Sequence, residues 1–199
     1  MSADLKNTRD SLNKFAKYVI QQARTNLSKK KKNATSDLYG SLGYDLKVSP
    51  NSFNLEFYML PYGEFVDQGV RGKDPSNVSI NAQITGQQAP NSPFRFGSGT
   101  HKGTWKKFVE NLEGWVKKKR VRLRVYKTVN GKQVPTGKFA KGNYKSVAYI
   151  VAGNIYNRGI KPSLFFTKPF ERSFKNLPEQ LVEAYALEVM DFMKFTTKK

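Results

Sequence analysis

The strongest chemistry in this 199-residue sequence comes from basic side chains crowded into one stretch of the chain. From Lys102 to Lys145 there are fourteen Lys and Arg residues against two Glu residues, a local net charge of +12. The densest part, called the basic patch below, consists of Lys117, Lys118, Lys119, Arg120, Arg122, Arg124 and Lys127. Ammonium and guanidinium groups at this density bind phosphates or carboxylates. Three alternatives stay open: a nucleic-acid contact, a contact with an acidic protein surface, or a solvated charged face.

Groups suited to catalysis or metal binding are few. The single histidine, His101, lies in a glycine-rich stretch with no second ligand candidate. Asp67 lies near Asp74, and Glu110 shares a helix face with Glu113. A metal-dependent nuclease needs a tighter group of carboxylates than either pair offers. The sequence has no cysteine, which excludes disulfides and thiolate metal sites. We therefore predict a protein that is not an enzyme, with no catalytic residue, no metal and no cofactor.

The overall charge points to an anionic partner. Lys and Arg number 35 against 15 Asp and Glu, which gives a net charge of +20. Such a charge informs about partners and solubility rather than about the fold. The sequence lacks the run of about 20 apolar residues that a membrane-spanning helix needs, and its polar first residues lack the apolar part of a signal peptide. We therefore expect no membrane partner, and a start in the cytoplasm of the cell that makes the chain.

Apolar residues at three- and four-residue steps predict amphipathic helices at both ends of the chain and two between them. The first helix is predicted over 3–27, with Ser2 as its N-cap. The middle two are predicted over 105–116 and 144–155, the latter closed near Gly159 by a residue in the left-handed conformation. The apolar residues of the last helix are Leu181, Val182, Tyr185, Val189 and Phe192.

Two alternating runs predict the most regular strands. The runs 44–48 and 53–59 alternate apolar and polar residues around a short turn, so they indicate a hairpin with one buried face. With the helices, this predicts an α+β fold, in which a small antiparallel β-sheet is packed by an N-terminal and a C-terminal amphipathic helix. We expect a single domain, 1–199. Two segments are expected to extend from this domain. One is a polar loop, 68–103, which orders on assembly, and the other is a basic β-hairpin, 117–145.

The basic hairpin is predicted from local signals. The run 120–125 alternates Arg120, Arg122 and Arg124 with apolar residues, which is typical of a strand with one apolar face and one guanidinium face. Asn130 and Gly131 form the dipeptide favoured in type I′ hairpin turns. Pro135 is expected to end the return strand soon after it starts, because proline cannot donate a ladder hydrogen bond.

Two aromatic segments, 61–69 and 157–170, stand far apart in the sequence. Each combines aromatic residues with Gly and Pro, and neither contains a nucleophile–base pair or a cluster of metal ligands. Such segments are typical of a shaped contact surface rather than an active site. Core packing and a contact with another subunit both explain them. Both explanations can hold together, because ring proteins share core-like aromatic residues across subunit seams.

The order of these elements resembles that of the neck, or tail-completion, proteins of tailed bacteriophages. An amphipathic helix, the turn segment 37–42, a hairpin, "YGEFVDQG", "GIKPSLFFTKPF" and a final helix follow one another as in that family. The residues that match the two motifs, and that the resemblance assigns to a subunit or partner interface, are Tyr62, Phe65, Val66, Gly69, Pro162, Leu164, Phe165, Phe166, Pro169 and Phe170.

The resemblance implies a structural virion protein that forms a homo-oligomeric ring at the head–tail junction. Such a ring connects portal-associated or head-completion proteins to tail tube or terminator proteins, and it assembles in the host bacterial cytoplasm. One alternative is a tail terminator protein that caps the tail tube. The other is a sequence-nonspecific nucleic-acid-binding protein, in which DNA contacts the basic patch.

Overall fold

A computed structural model describes residues 5–30, 36–49, 52–78, 86–98 and 103–197, with backbone alone over 191–197. In these ranges the α-helices are α1 (Lys6–Lys29), α2 (Asp37–Ser41), α3 (Gly63–Gln68), α4 (Trp105–Lys118), α5 (Tyr144–Arg158), α6 (Thr167–Phe174) and α7 (Leu177–Thr197). The strands are β1 (Gly43–Ser49), β2 (Ser52–Tyr58), β3 (Val70–Arg71), β4 (Arg124–Val129), β5 (Lys132–Phe139) and β6 (Gly159–Ile160). The strands pair as β1–β2, β3–β6 and β4–β5, all antiparallel. The predicted α+β class is confirmed.

The chain divides into two compact units. The terminal unit comprises Met1–Gly63 and Ser163–Lys199, and the central unit comprises Glu64–Pro162. The terminal unit therefore contains the first hairpin and the helices near both chain ends, and the central unit contains the basic patch. The assignment of 1–199 to a single domain stays a prediction.

The core of the terminal unit forms where α1 meets the hairpin β1–β2 and the helices α6 and α7. Buried α1 residues at three- and four-residue steps include Leu12, Phe15 and Val19. The Phe15 ring makes edge-to-face contacts with Phe57 of β2, at 6.2 Å between centroids, and with Phe170 of α6, at 5.8 Å. Edge-to-face pairs add to the stabilisation that comes from burying the rings. The hairpin and both terminal helices were predicted to pack in this way.

The first turn of α1 is capped by a residue far away in sequence. Leu5 occupies the N-cap position and its side chain makes no capping hydrogen bond. Glu188 of α7 accepts hydrogen bonds from the backbone N–H groups of Asn7, at 2.6 Å, and Thr8, at 3.2 Å. A carboxylate in this position satisfies unpaired N–H groups and interacts favourably with the helix dipole. The predicted cap, Ser2, lies outside the described residues.

The packed face of α7 differs from the prediction. The α7 residues that face the rest of the terminal unit are Leu177, Leu181, Ala184 and Glu188. Val182, Tyr185 and Val189 are exposed, so the predicted apolar face was wrong for these three. The side chain of Phe192 lies outside the described residues. The helix carries apolar residues on two sides, and a local pattern does not decide which side meets the core.

The core of the central unit lies between α4 and α5. Its buried residues are Val109, Val116, Val147, Ala148 and Ala152. Side-chain caps begin both helices: Thr104 Oγ1 accepts from the N–H of Lys107 at 3.3 Å, and Asn143 Oδ1 accepts from the N–H of Ser146 at 2.8 Å. Both predicted middle helices are therefore confirmed.

The ribbon formed by β4 and β5 turns at Asn130 and Gly131, whose φ angles of 50° and 75° match the predicted type I′ turn. β5 continues through Pro135 to Phe139, so the prediction that Pro135 ends the strand soon was wrong. In a two-stranded ribbon each strand has one free edge, where the missing N–H of proline is tolerated. β4 begins at Arg124, later than predicted, because Val121 and the residues near it pack against the α4–α5 core instead.

The strands β3 and β6 pair residues far apart in sequence, Val70 with Ile160 and Arg71 with Gly159. β3 and a 3₁₀ turn at Pro75–Asn77 lie within the segment predicted as a polar loop. α5 ends at Gly159 as predicted, but the φ of 92° and ψ of −172° at this glycine lie outside the left-handed helical region, so the predicted conformation of the cap was wrong. The chain passes directly from α5 into β6 at this residue.

Candidate interaction surfaces

The first aromatic segment forms the short helix α3. Tyr62 is exposed, whereas Phe65 is half-buried and meets the ring of Phe94 edge to face, with 4.6 Å between centroids. Val66 is half-buried. Gly69 is buried, with φ 74°. Among the four residues predicted here as interface, Tyr62 therefore presents the most surface.

The two aromatic segments meet at Gly69. A Cβ atom added to this glycine would overlap the backbone oxygen of Ile160 and the backbone nitrogen of Pro162. The pairing of β3 with β6 continues this contact, and the Ser92 hydroxyl donates to the Gly69 carbonyl at 2.8 Å. Close backbone approach requires glycine. Sequence reasoning singled out both segments but did not predict that they lie side by side.

A partly buried arginine flanks this contact. Arg158 is the last residue of α5 and is partly buried. Desolvation by burial lowers the pKa of the Arg158 guanidinium below its ordinary value. Arginine stays protonated in proteins even so, because its ordinary pKa is very high. Its carbonyl accepts from the N–H of Gln88 at 2.7 Å, which ties the polar segment to the end of α5.

The second aromatic segment divides between core and surface. Phe165 has 0% exposed surface, and Pro169 is also buried. The rings of Phe166 and Phe170 stack at 6.0 Å and both contact Phe57. Core packing in the terminal unit therefore accounts for these four residues. Their predicted role as a subunit interface stays a prediction.

The remaining members of the second segment lie nearer the surface. Pro162 is half-buried, and Leu164 is 40% exposed with a positive φ of 49°. The backbone on either side of Leu164 is held by α1, because Lys30 donates to the Ser163 carbonyl and Asn26 donates to the Phe165 carbonyl at 3.3 Å. Leu164 is thus presented outward on an anchored backbone.

Both aromatic segments contain a point where the chain passes between its units. One passage follows Gly63, and the other follows Pro162. The exposed members Tyr62 and Leu164 both belong to the terminal unit, whereas Gly69 and Pro162 belong to the central unit. The two motifs therefore supply exposed residues and core residues, and they also contain the two connections between the units.

The basic patch is exposed at every position, but it is not one strand face. Its residues fall on the end of α4, on the turn after it, and on β4. Of the three arginines predicted to share a strand, only Arg124 lies in β4. Arg120 has a positive φ of 50° in the turn after α4, and Arg122 lies over the Phe139 ring at 6.0 Å. The prediction that the three arginines share one face of a strand was therefore wrong.

No acidic residue opposes this patch along the chain. From Lys117 to Lys145 the sequence has eleven Lys and Arg residues and no Asp or Glu. Exposed cations at this density suit phosphates or carboxylates of another molecule. The nucleic-acid contact, the contact with an acidic protein surface and the solvated charged face are therefore all compatible with the geometry.

A groove in the terminal unit was missed by sequence reasoning. Its volume is about 720 Å³, and its described lining includes three cations and three tyrosines: Lys17, Arg24, Lys29, Tyr39, Tyr44 and Tyr58. Arg24 is fixed in place, donating to the carbonyls of Tyr39 at 3.2 Å and Leu42 at 3.0 Å. The lining comes from α1, α2 and both strands of the hairpin, so no local spacing could have indicated it. Its chemistry suits an anionic or aromatic group.

Within the described ranges, no group of three His, Cys, Asp or Glu residues is arranged to hold a metal ion. His101 lies outside those ranges. A separate search of the helices in the described part found none with the length and apolar character needed to cross a membrane. Comparisons of the chain with protein-family models, curated proteins and solved structures found no match.

Proposed function

We propose that this chain is a structural virion protein of a tailed bacteriophage, a neck or tail-completion protein. It forms a ring at the head–tail junction and connects the portal or head-completion proteins to the tail. The observation that carries the proposal is the meeting of the two motif segments at Gly69 and Pro162, reinforced by the β3–β6 pair. Two segments that resemble one family's motifs are thereby joined into one structural feature.

The proposed mechanism is contact between surfaces, with no bond made or broken. Each copy offers different surfaces to its two neighbours, and such heterologous contacts repeat around an axis until the ring closes. Phe165, which is wholly buried, anchors the second segment, while Tyr62 and Leu164 expose 42% and 40% of their surface for contact with neighbouring copies or shells. The virion is the proposed location, with assembly in the host bacterial cytoplasm.

The proposal is tested by joining heads to tails in infected cells. A phage whose own copy of the gene is disrupted is supplied with the wild-type chain or with a Tyr62→Ala, Leu164→Ala double variant. We expect the variant to fold normally but to leave filled heads and free tails unjoined in electron micrographs. The reason is that the contact surface, and not the core, has been truncated.

Tyr18→Ala is the matched control, because Tyr18 is equally large and exposed but lies on α1, outside both segments. This control should join heads to tails like the wild type. Normal joining when the chain is absent altogether contradicts the neck function. Normal joining with the double variant contradicts the assigned surface.

DNA binding is a second candidate function, favoured by the exposed basic patch. We expect duplex DNA to bind without sequence preference and to dissociate as salt rises. If Lys117, Lys118 and Lys119 each neutralise a phosphate, changing them to Gln should reduce the slope of log affinity against log salt by about 0.9 for each lysine. Gel shifts at several salt concentrations measure the slope.

The control for that measurement changes three exposed lysines outside the basic patch and the groove, Lys6 and Lys14 of α1 and Lys168 of α6, to Gln. The two variants have the same net charge, so a general loss of attraction affects them equally. An equal change of slope in both, or no gel shift at low salt with the wild type, removes the DNA function.

A further inference from the structure

The side of α7 that faces away from its packed residues is both apolar and acidic. At 100° per residue, six residues lie opposite the packed face. This α7 outer face consists of Glu179, Val182, Glu183, Ala186, Val189 and Met190, all exposed. Val182 is 70% exposed and Met190 is 49% exposed. Apolar side chains in a row at this exposure mark an interaction surface.

The charge of this helix is opposite to that of the protein. Between Leu177 and Met190 there are three Glu residues and no Lys or Arg, in a chain of net charge +20. Glu188 caps α1, while Glu179 and Glu183 lie exposed on the outer face. The α7 outer face therefore suits a partner that is basic and apolar at once.

The ribbon of β4 and β5 has that character. Lys127 lies opposite Val134, and Val129 lies opposite Lys132. Residues opposite each other, and those two apart along a strand, share one face of the ribbon. These four exposed residues, the ribbon face, thus alternate two cations with two valines. No acidic residue occurs in either strand.

We propose that the α7 outer face of one copy binds the ribbon face of a second copy. Glu179 and Glu183 pair with Lys127 and Lys132, and Val182 and Val189 cover Val129 and Val134. Charge complementarity fixes the choice of partner, because like charges would repel if α7 met α7 or ribbon met ribbon. The inference rests on the proposed ring, and it names the two surfaces that join neighbouring copies.

The contact is heterologous, because the two surfaces are different. Each copy uses α7 toward one neighbour and the ribbon toward the other, so a chain of contacts can grow and close into a ring. Carboxylate–ammonium pairs at the edge of such a contact affect association strongly when salt is low and less when salt is high. Self-association is therefore expected to weaken as salt is added.

Two charge-reversed variants of the full chain test the contact. One carries Glu179→Lys and Glu183→Lys, and the other carries Lys127→Glu and Lys132→Glu. All four side chains are exposed, so circular dichroism and thermal melting should match the wild type. By sedimentation velocity, each variant alone should associate roughly tenfold or more weakly than the wild type, since like charges now meet.

Mixing the two variants should restore association, because each reversed surface then meets a surface of opposite charge. Recovery on mixing does not occur if either variant is merely damaged. A Lys6→Glu, Lys14→Glu variant reverses two exposed charges on α1, outside the groove of the terminal unit, and should associate like the wild type. A wild type that stays monomeric, a ribbon variant that associates normally, or a mixture that fails to recover would each overturn the contact.

The particle assay separates this contact from the proposed function. Heads and tails that join normally with either charge-reversed variant overturn the contact and leave the neck function in place. Association that is lost and recovered as expected, in a chain whose absence leaves joining unaffected, supports the contact and overturns the neck function.

Discussion

Replacing Phe165 by alanine is expected to lower the free energy of unfolding of the terminal unit by about 3–5 kcal/mol. The side chain is wholly buried and is among the largest fully buried side chains of the described residues. Removing its ring leaves a cavity that the packed neighbours fill only in part. A loss of this size is a large fraction of the roughly 5–15 kcal/mol that stabilises a typical protein.

Leu164→Ala is the matched control for this change. Leu164 is the adjacent residue in the same motif, but 40% of its surface is exposed. Truncating it should change stability by about 0.5 kcal/mol or less. Both tryptophans, Trp105 and Trp115, lie in the central unit, so urea unfolding of these variants should be followed by far-UV circular dichroism rather than by tryptophan fluorescence.

The paired variants also separate two roles of one motif. Loss of head–tail joining with Phe165→Ala follows from lost stability, whereas loss with Leu164→Ala at full stability indicates a contact. A Phe165→Ala protein as stable as the wild type contradicts the packing described for the terminal unit. Equal destabilisation by both changes contradicts the division of the motif into core and surface.

The hairpin of β1 and β2 was predictable because its signal is local. Apolar and polar residues alternate over both runs, and the observed strands, Gly43–Ser49 and Ser52–Tyr58, differ from the prediction by about one residue at each end. Asn130 and Gly131 were equally informative, because a type I′ turn needs positive φ at two successive residues. Patterns of this kind need no knowledge of the rest of the chain.

The packing of α7 was not predictable from the same kind of pattern. Leu177, Leu181 and Ala184 face the core, while Val182 and Val189 form a second apolar row on the outside. Both rows have helical spacing, so periodicity favours neither. The choice depends on what α1 and α6 present to the helix, which is a property of the folded unit.

The residues around Arg120 show a different failure. Alternation over 120–125 favoured a strand, but Val121 and Leu123 pack onto the α4–α5 core before β4 begins. The N–H of Val121 donates to the Val116 carbonyl at 3.0 Å, which closes α4 and places Arg120 at positive φ. The three arginines are exposed, as predicted. They do not share one face, because the strand that would have aligned them begins only at Arg124.

The meeting of the two aromatic segments had no local signal at all. β3 and β6 have two residues each, far too few for a period to show. What could have drawn notice is the glycines, since Gly69, Gly72 and Gly159 all lie where a Cβ would overlap the neighbouring backbone. A glycine in a sequence indicates either an unusual backbone conformation or the close approach of another backbone segment, but it does not identify that segment.

Gly159→Ala is therefore expected to destabilise the central unit by roughly 3 kcal/mol or more. The backbone there has φ 92° and ψ −172°, a conformation that residues with a Cβ atom rarely adopt. An added Cβ would also overlap the Val70 carbonyl oxygen and lie 2.6 Å from the Gly72 nitrogen. Both effects act on the β3–β6 pair, which holds the two motif segments side by side.

Gly153→Ala is the matched control, for which we expect stability to rise rather than fall. Gly153 lies within α5, a Cβ there would have no neighbour within 4 Å, and its φ is not positive. Alanine should raise stability by about 0.5–1 kcal/mol, because it favours the helix and restricts the unfolded chain. Urea unfolding followed by tryptophan fluorescence reports on the central unit and measures both variants.

The same pair of variants connects stability to function. If the β3–β6 pair aligns the motif segments for assembly, Gly159→Ala should abolish head–tail joining even at a low temperature where most of the protein is folded, while Gly153→Ala joins normally. Joining by folded Gly159→Ala protein at the wild-type level would show that the alignment of these segments is not required. A Gly159→Ala protein as stable as Gly153→Ala would contradict the close backbone contact on which that alignment depends.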